Sequence, residues 1–301
     1  MKVCVLLAVC NGETYLREQL ESILHQKEVS VDVYVCLDSS QDSSQSILSE
    51  YATHYQNIIL HSQDIKFGSA GQNFLYMLKT VDFSSYDYIC FSDQDDYWLD
   101  GKLHNAIKKI RSSNADGYSS NVTAFWENDR KVDIRKSHAQ VHFDYIFESS
   151  GPGCTFVLTY ELAHDIQSFL ESAGDKVKDI WLHDWFCYAY ARSNDYSWVI
   201  DQSSYLLYRQ HDSNSVGANV NFGAKFSRLR EVLNGSALDK VMLQSDILGI
   251  NAELPIKLLK NNTVFSYFRL ALLASKCRRK PSEKVFFFFV MILLGIKRLM
   301  K

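Results

Sequence analysis

Three carboxylates follow directly after an apolar run of the chain. Residues 86–92 resemble a buried strand, and Asp93, Asp95 and Asp96 come next within four positions. Carboxylates this close repel one another unless a cation or solvent lies between them. Ligand sets made only of oxygen suit a hard divalent ion such as Mg²⁺ or Mn²⁺. The alternative is a solvated acidic turn, and Asp96 is expected to do no more than begin the next helix.

Two other predicted strands also end in polar groups. Asn11 and Gly12 interrupt the apolar run 2–10, and Asp38 follows the apolar run 31–37. Ligands of parallel sheets bind beyond the carboxyl ends of the strands. We therefore expect these residues to lie at the same edge of a sheet as the three carboxylates.

Strands and helices alternate across the first hundred residues, which predicts a doubly wound α/β sheet. Strands are predicted at 2–10, 31–37, 57–61 and 86–92, with helices from Leu16 to about Gln26, after Asp42 and after Gly68. Further strands are predicted at 118–126, 154–159, 196–200 and 205–208, and a helix at about 179–192. Residues 210–221 are polar and predict a loop, and the pattern from 222 onward is mainly helical.

Composition and charge narrow the class of protein. The chain has 301 residues, 47% of them hydrophobic, enough for one large α/β domain or two smaller ones. A net charge of -3 and the lack of a basic, aromatic stretch give no reason to expect nucleic acid as a partner. Seven cysteines without a Cys-x-x-Cys pair indicate reduced core residues of a cytosolic protein. Because the first predicted strand begins almost at Met1, we expect no signal peptide.

The C-terminal region combines apolar and basic residues. Residues 285–296 are an uninterrupted apolar run. Its basic neighbours are Arg278, Arg279, Lys280, Lys284, Lys297, Arg298 and Lys301. A helix of that length spans about 18 Å, against a hydrocarbon core of about 30 Å. We expect it to insert into one membrane face with its basic side chains at anionic headgroups. The alternative is a buried terminal helix.

Several nucleotide and hydrolase motifs are missing from the sequence. No Gly-x-Gly-x-x-Gly follows the first strand, and neither a Gly-x-x-x-x-Gly-Lys-Ser/Thr loop nor a Gly-x-Ser-x-Gly elbow is present. A phosphate-containing ligand would therefore be held through a metal rather than by a glycine-rich loop.

Residues 8–12, Asp38 and 91–98, with 183–185 and 208–211, resemble the family 2 glycosyltransferases. The similarity is to their bacterial polysaccharide branch, including rhamnosyltransferase-like members, and it covers about residues 2–220. It implies the GT-A fold, a doubly wound, mixed and mostly parallel sheet with helices on both faces, plus a C-terminal helical section here.

The resemblance also implies a division of the chain. Residues 1–100 would be the nucleotide-sugar-binding half, and 101–221 the acceptor-binding and catalytic-base half of the same domain. The sequence pattern, independently of the resemblance, predicts that residues 222–301 form a helical section with a membrane-associating end.

Roles for individual residues follow from the same resemblance. Asp184 would be the catalytic base, while Asp95 and His211 would hold a divalent metal, Mg²⁺ or Mn²⁺. The residues expected to contact the donor are Ala8, Asn11, Gly12, Asp38, Asn73, Asp93, Gln94 and Arg209. Gly153 and Cys154 are expected on the acceptor side, and His183 on a helix surface. Many relatives carry paired acids at the second strand, whereas here Leu37 precedes Asp38.

The implied activity is inverting transfer from a nucleotide-diphosphate sugar, with dTDP or UDP favoured as the nucleotide. The acceptor would be a lipid-linked oligosaccharide of surface polysaccharide or O-antigen synthesis. The protein would be cytoplasmic and peripherally associated with the inner face of the cell membrane. The alternative is a non-catalytic, nucleotide-sugar-binding scaffold of a polysaccharide assembly complex. The sugar and the linkage stay open.

Overall fold

The computed structural model describes residues 1–211, 231 and 234–300. They form two compact units. The first contains residues 1–137 and 150–211, and the second contains 138–149 and the described part of 218–300. The predicted division of the first unit into donor and acceptor halves stays a prediction.

The strands all belong to the first unit. They are β1 (Lys2–Val9), β2 (Ser30–Asp38), β3 (Ile58–Ile65), β4 (Tyr88–Ser92), β5 (Tyr97–Trp98), β6 (Gly117–Ser120), β7 (Val122–Phe125), β8 (Lys131–Ile134), β9 (Val157–Thr159), β10 (Trp198–Asp201) and β11 (Leu206–Arg209).

The helices occur in both units. They are α1 (Leu16–Leu24), α2 (Ser44–His54), α3 (Ala70–Thr80), α4 (Lys102–Ser113), α5 (Asp144–Phe147), α6 (Tyr160–Ala173), α7 (His183–Ser193), α8 (Ser236–Ile247), α9 (Leu254–Asn261), α10 (Val264–Leu272), α11 (Ala274–Cys277) and α12 (Pro281–Leu299). Gly153–Thr155 and Gly174–Asp179 form 3₁₀ turns.

A seven-stranded sheet with the order β10-β6-β9-β4-β1-β2-β3 forms the centre of the first unit. β4, β1, β2 and β3 are parallel, and β9 is antiparallel to both of its neighbours. The chain winds outward from β1 through β2 to β3 and then returns to β4 on the other side of β1. This reversal is the position where parallel α/β sheets form their ligand crevice. The predicted doubly wound, mixed and mostly parallel fold is confirmed, together with the C-terminal helices.

The central strand is hydrophobic on both faces because helices cover both. Every residue from Val3 to Val9 in β1 is buried. Leu16, Leu20 and Ile23 of α1 recur at helical spacing and join the same core cluster. The continuous apolar run predicted this strand correctly.

A second sheet has the order β5-β11-β7-β8. The prediction of one strand at 118–126 is wrong, because the chain leaves the first sheet at Asn121 and enters the second. The Asn121 side chain accepts from the Lys136 amide at 2.6 Å and donates to the Gln202 carbonyl at 2.7 Å. Partners this distant in sequence leave no local signal. The second sheet places β11 beside β5, the strand that directly follows the three carboxylates.

Two helix starts also differ from the prediction. Asp96 does not begin a helix, because β5 follows it and α4 begins only at Lys102. The helix predicted from about 179 begins at His183, since residues 174–179 form a 3₁₀ turn.

The second unit is helical where it is described, and most of the predicted loop at 210–221 lies outside the described residues. α12 packs against α10, where a Cβ on Gly295 would lie 2.8 Å from Cε1 of Phe268. Asp144 and Arg279 form a buried ion pair at 3.1 Å. None of the described helices combines the length and apolar character needed to cross a membrane.

Candidate active site

The loops after β1 and β4 are joined by one side chain. The Gln94 amide accepts from the Cys10 N–H at 2.7 Å and donates to the Cys10 carbonyl at 3.0 Å. A Cβ on Gly12 would lie 2.5 Å from Oε1 of Gln94, so a side chain at this position would displace the Gln94 amide. Gln94, predicted to contact the donor, therefore also fixes the main chain at the winding reversal.

The loop after β1 is also bound to the loop after β2. Asn11 has a left-handed backbone with φ 47°, a conformation that asparagine tolerates. Its N–H donates to Oγ of Ser40 at 2.9 Å, and its Oδ1 accepts from the Gln41 N–H at 2.9 Å. The Gly12 N–H donates to Oγ of Ser44 at 2.8 Å. These contacts bring the two predicted strand ends together at one edge.

Asp38 ends β2, and its carboxylate accepts three backbone N–H groups. Ser39 and Phe67 donate to Oδ1 at 2.7 and 3.2 Å, and Gly68 donates to Oδ2 at 3.1 Å. Asp38 thereby holds the loop between β3 and α3 against its own strand. A carboxylate has about four acceptor positions, and these three contacts use three of them.

Two further residues predicted to contact the donor lie inside the fold. Ala8 is buried in β1, opposite Cys36 of β2. Asn73 is 2% exposed and donates to the Cys36 carbonyl at 2.9 Å, while its Oδ1 is buried without a partner among the described residues. Both support the edge of the sheet from beneath.

The three carboxylates differ in their surroundings. Asp93 is partly buried, and burial, followed by the charges of Asp95 and Asp184, raises its pKa to about 7. Asp96 is 1% exposed, and burial together with Asp93 and Asp95 raises its pKa well above the ordinary value. Ligand atoms of Asp93, Asp96 and Cys154 lie within 4.8 Å of one another. Carboxylates this close repel one another, and either protonation or a bound cation relieves that repulsion.

Cys154 therefore lies beside the carboxylates, and the predicted place of Gly153 and Cys154 on the acceptor side stays a prediction. Burial, Asp96 and Asp93 raise the pKa of the Cys154 thiol well above its ordinary value.

Asp95 and His211, the two predicted metal ligands, are in direct contact. Nε2 of His211 lies 2.7 Å from Oδ2 of Asp95, and both side chains are partly buried. Adjacent ligands about 2.1 Å from an octahedral ion lie about 3 Å apart, so this pair needs to open only slightly.

Arg209 contacts residues 93–96, the acidic loop, through two hydrogen bonds. One uses the main-chain N–H of Arg209, and the other uses the main-chain carbonyl of Asp95. Its N–H donates to Oδ1 of Asp96 at 3.2 Å, and its Nε donates to the Asp95 carbonyl at 2.8 Å. Its guanidinium also forms an ion pair with Glu18. Glu18 has no signal in the sequence, because only the apolar positions of α1 form a recognisable pattern.

Asp184 lies in the first turn of α7, and its charge contributes to the raised pKa of Asp93. Its Oδ1 accepts from the Trp185 N–H at 2.6 Å. A Cβ on Gly153 would lie 3.3 Å from Cβ of Asp184 and would overlap Nε2 of His183. Gly153 thus allows the start of α7 to pack against the 3₁₀ turn that carries Cys154.

His183 is buried, and the prediction of a helix-surface position is wrong. Its ring lies between Phe74 and Phe91, with centroid separations of 4.3 and 5.1 Å. Burial lowers its pKa to about 3, so the imidazole is neutral. Neither ring nitrogen has a hydrogen-bond partner within the described part of the chain. The residue packs as an aromatic ring directly beside Asp184.

Comparisons with known proteins show the family and the fold of this chain. The family model described as "Glycosyl transferase family 2" matches residues 4–170, more than half of the chain. The dTDP-rhamnosyl transferase RfbG of Shigella flexneri is 41% identical over 288 residues, which cover 95% of this chain and 99% of that protein.

Two solved structures share the fold at low identity. The 1–349 fragment of TarS from S. aureus, in complex with UDP-GlcNAc, has a TM-score of 0.56 and 15% identity, over 99% of this chain and 92% of that one. The mannosyltransferase PcManGT from Pyrobaculum calidifontis, in complex with GDP-Man and Mn²⁺, has a TM-score of 0.53 and 14% identity, over 99% and 86%.

Proposed function

We propose a donor, an acceptor and residue roles for this chain, which belongs to glycosyl transferase family 2 and is an inverting glycosyltransferase that uses a nucleotide-diphosphate sugar. The donor is a dTDP-linked rhamnosyl group, and the acceptor is a lipid-linked oligosaccharide of surface polysaccharide or O-antigen synthesis. Support for the donor comes from the rhamnosyl transferase that is 41% identical across almost the whole of both chains. UDP is the other nucleotide that the sequence favours.

The donor would bind at the carboxyl ends of β1, β2 and β4. Asp38 has acceptor capacity left for an N–H of the base, and Asn11 and Gly12 border the same edge. Asp93 would accept a hydrogen bond from the deoxyribose, and Asp95 and His211 would hold the divalent ion. When bound, this ion would offset the charge of the donor diphosphate and stabilise it as the leaving group.

Asp184 would act as the general base. It accepts the proton of the acceptor hydroxyl while that oxygen forms a bond to the anomeric carbon from the face opposite the diphosphate. The bond between the anomeric carbon and the diphosphate oxygen breaks, and the nucleoside diphosphate leaves with its electron pair. The observation that carries this assignment is the packing of Asp184 against the 3₁₀ turn of Gly153 and Cys154, whose thiol lies within 4.8 Å of ligand atoms of Asp93 and Asp96.

Trp181 offers a surface for the acceptor. It is 50% exposed three positions before Asp184, and its ring meets that of buried Trp185 edge to face at 6.5 Å. An exposed indole fixed in this way is a flat apolar platform for a sugar ring. We place the acceptor saccharide there, with its hydroxyl directed toward Asp184.

Membrane association would be carried by α12. One face, with Phe287, Val290, Met291 and Leu294, is buried in the second unit. A second apolar face is exposed and comprises Phe286, Phe289, Leu293, Ile296 and Met300, at helical spacing of three and four. Exposed Lys280, Lys297 and Arg298 flank this face. An apolar face bounded by cations fits the surface of an anionic bilayer, where a lipid-linked acceptor would be held.

Product analysis with a defined donor tests the reaction. Wild-type protein with dTDP-rhamnose and a lipid-linked acceptor should release dTDP and form a rhamnosylated product, and EDTA should stop both. Asp184→Asn should lower kcat by about 10²–10⁴ while donor binding is retained. Asp179→Asn, an exposed acid of the preceding turn, is the matched control. Release of dTDP that is insensitive to both EDTA and Asp184→Asn would contradict the mechanism.

A further inference from the structure

We infer that Arg209 is a positioning residue that holds the metal ligand Asp95 in place, and that Glu18 fixes Arg209 for this task. The inference rests on the proposed metal site. In this role Arg209 does not contact the donor diphosphate directly. It orients Asp95 through a hydrogen bond to the Asp95 main-chain carbonyl.

The guanidinium group of Arg209 is enclosed between two aromatic rings. It lies 4.3 Å from the ring centroid of Tyr15 and 4.5 Å from that of Phe125. The side chain of Arg209 is 9% exposed. Planar guanidinium stacks well on aromatic faces, which a lysine ammonium cannot reproduce. The plane of the group, and therefore the direction of its N–H donors, is set before any ligand binds.

These donors point to the acidic loop and to a counter-ion. Nε donates to the Asp95 carbonyl at 2.8 Å, and the terminal nitrogen pairs with Glu18 of α1. The Arg209 N–H adds a contact to Asp96 at 3.2 Å. Because Glu18 compensates the charge of Arg209, the net attraction left for a diphosphate is small. The fixed Asp95 carbonyl instead limits the positions that its carboxylate can take.

The same cluster also places the second metal ligand. His211 lies two residues after Arg209, and its ring centroid is 5.5 Å from that of Tyr15. The Tyr15 hydroxyl donates to Glu127 at 3.0 Å, which fixes the ring that both Arg209 and His211 contact. Arg209 thus connects Asp95 and His211 to one rigid group of side chains. Groups that orient metal ligands in this way commonly change metal affinity about 10–100-fold when they are mutated.

The test measures Mn²⁺ binding to the whole protein without donor. Binding is detected by electron paramagnetic resonance as a decrease in the signal of free Mn²⁺. Arg209→Lys and Glu18→Gln should each weaken Mn²⁺ binding about 10–100-fold. At saturating Mn²⁺ the donor KM should return close to that of the wild type. Arg17→Lys on α1, the helix that carries Glu18, is the matched control, because the ion pair of Arg17 with Glu50 of α2 is about half exposed.

The outcomes separate this inference from the reaction itself. Unchanged Mn²⁺ affinity in both variants, or a raised donor KM for Arg209→Lys at saturating Mn²⁺, would overturn the positioning role. Glu18 is about half exposed, so Glu18→Gln should fold even if Arg209→Lys does not. Wild-type protein that leaves the Mn²⁺ signal unchanged would overturn the metal site of the proposed function.

Discussion

Nε2 of His211 lies 2.7 Å from Oδ2 of Asp95, a residue 116 positions earlier in the chain. The two meet because β11 pairs with β5, directly after the acidic loop. Their contact places an imidazole nitrogen beside the row of carboxylate oxygens.

Substitution of His211 should weaken metal binding. His211→Ala removes one proposed ligand, and we expect Mn²⁺ affinity to fall at least about tenfold, measured by calorimetric titration. His164→Ala changes an exposed histidine of α6 and should bind Mn²⁺ like the wild type. Equal affinity in the two variants would remove His211 from the metal site.

Gly153→Ala should affect both stability and catalysis. The added Cβ would overlap the buried His183 ring and press on Asp184, and overpacking of this kind costs about 1–3 kcal/mol. We expect lower thermal stability and a lower kcat, since the proposed base is displaced. Gly151→Ala is the control, because its nearest contact at 3.4 Å is an ordinary one.

A second substitution distinguishes steric overlap from other effects at this position. Gly153→Ala combined with His183→Ala should recover part of the lost kcat. If Gly153→Ala behaves like Gly151→Ala in both stability and rate, the packing described for α7 is wrong.

The pH dependence of stability should reveal the buried His183. Its pKa of about 3 in the fold lies below the value of 6.5 expected when unfolded. As pH falls below 6.5, the unfolded chain binds a proton that the folded protein does not, so this contribution to stability is lost between about pH 6.5 and 3. His183→Phe should therefore reduce the slope of unfolding free energy against pH by about 1 kcal/mol per unit near pH 5.

Chemical denaturation at several pH values measures this slope. The absolute stability of His183→Phe can differ from that of the wild type without affecting the comparison of slopes. His164→Phe should leave the slope unchanged, and an unchanged slope in His183→Phe would mean that the ring is not held neutral.

The exposed face of α12 should decide vesicle binding. Phe289 and Leu293 are 59% and 48% exposed, so burial of the exposed part of each side chain in lipid would contribute about half of the 1.5–3 kcal/mol of a whole side chain. Phe289→Glu with Leu293→Glu should lower binding to phosphatidylglycerol–phosphatidylethanolamine vesicles more than tenfold in a flotation assay. The melting temperature should be retained, because the buried face of the helix is intact.

Lys108→Glu on α4 is the control for the effect of net charge. It lowers the net charge by the same two units, at an exposed position of the first unit. Vesicle binding that decreases equally in both variants would indicate general electrostatic attraction instead of insertion of α12.

Local sequence patterns predicted the strands and helices of the first hundred residues. The alternation of apolar runs and amphipathic helices located β1 to β4, and the polar groups after these strands lie at the common edge of the sheet that was predicted. The division of 118–126 at Asn121 was missed, because its cause is hydrogen bonding to residues 136 and 202. The buried state of His183 was missed for a similar reason, since the enclosing rings come from α3 and β4.

The residue roles show the same limit. Motif resemblance selected Asp95, His211 and Asp184, and the structure brings the first two into contact. It gave no indication of Tyr15, Glu18 or Phe125, whose importance depends on the position of the Arg209 guanidinium. Support of this kind is visible only after the chain has folded.

The Gln94 side chain holds the main chain of Cys10 at the winding reversal, and this position of Cys10 has a practical use in spectroscopy. All seven cysteines of the chain are described, and Cys10 alone is exposed, while the other six are buried. A thiol reagent applied to the native protein would therefore attach a single fluorophore at the winding reversal. Partial desolvation and Asp38 raise the pKa of Cys10, so labelling requires mildly alkaline buffer. A dye at this position would report arrival and departure of the donor at equilibrium, independently of turnover.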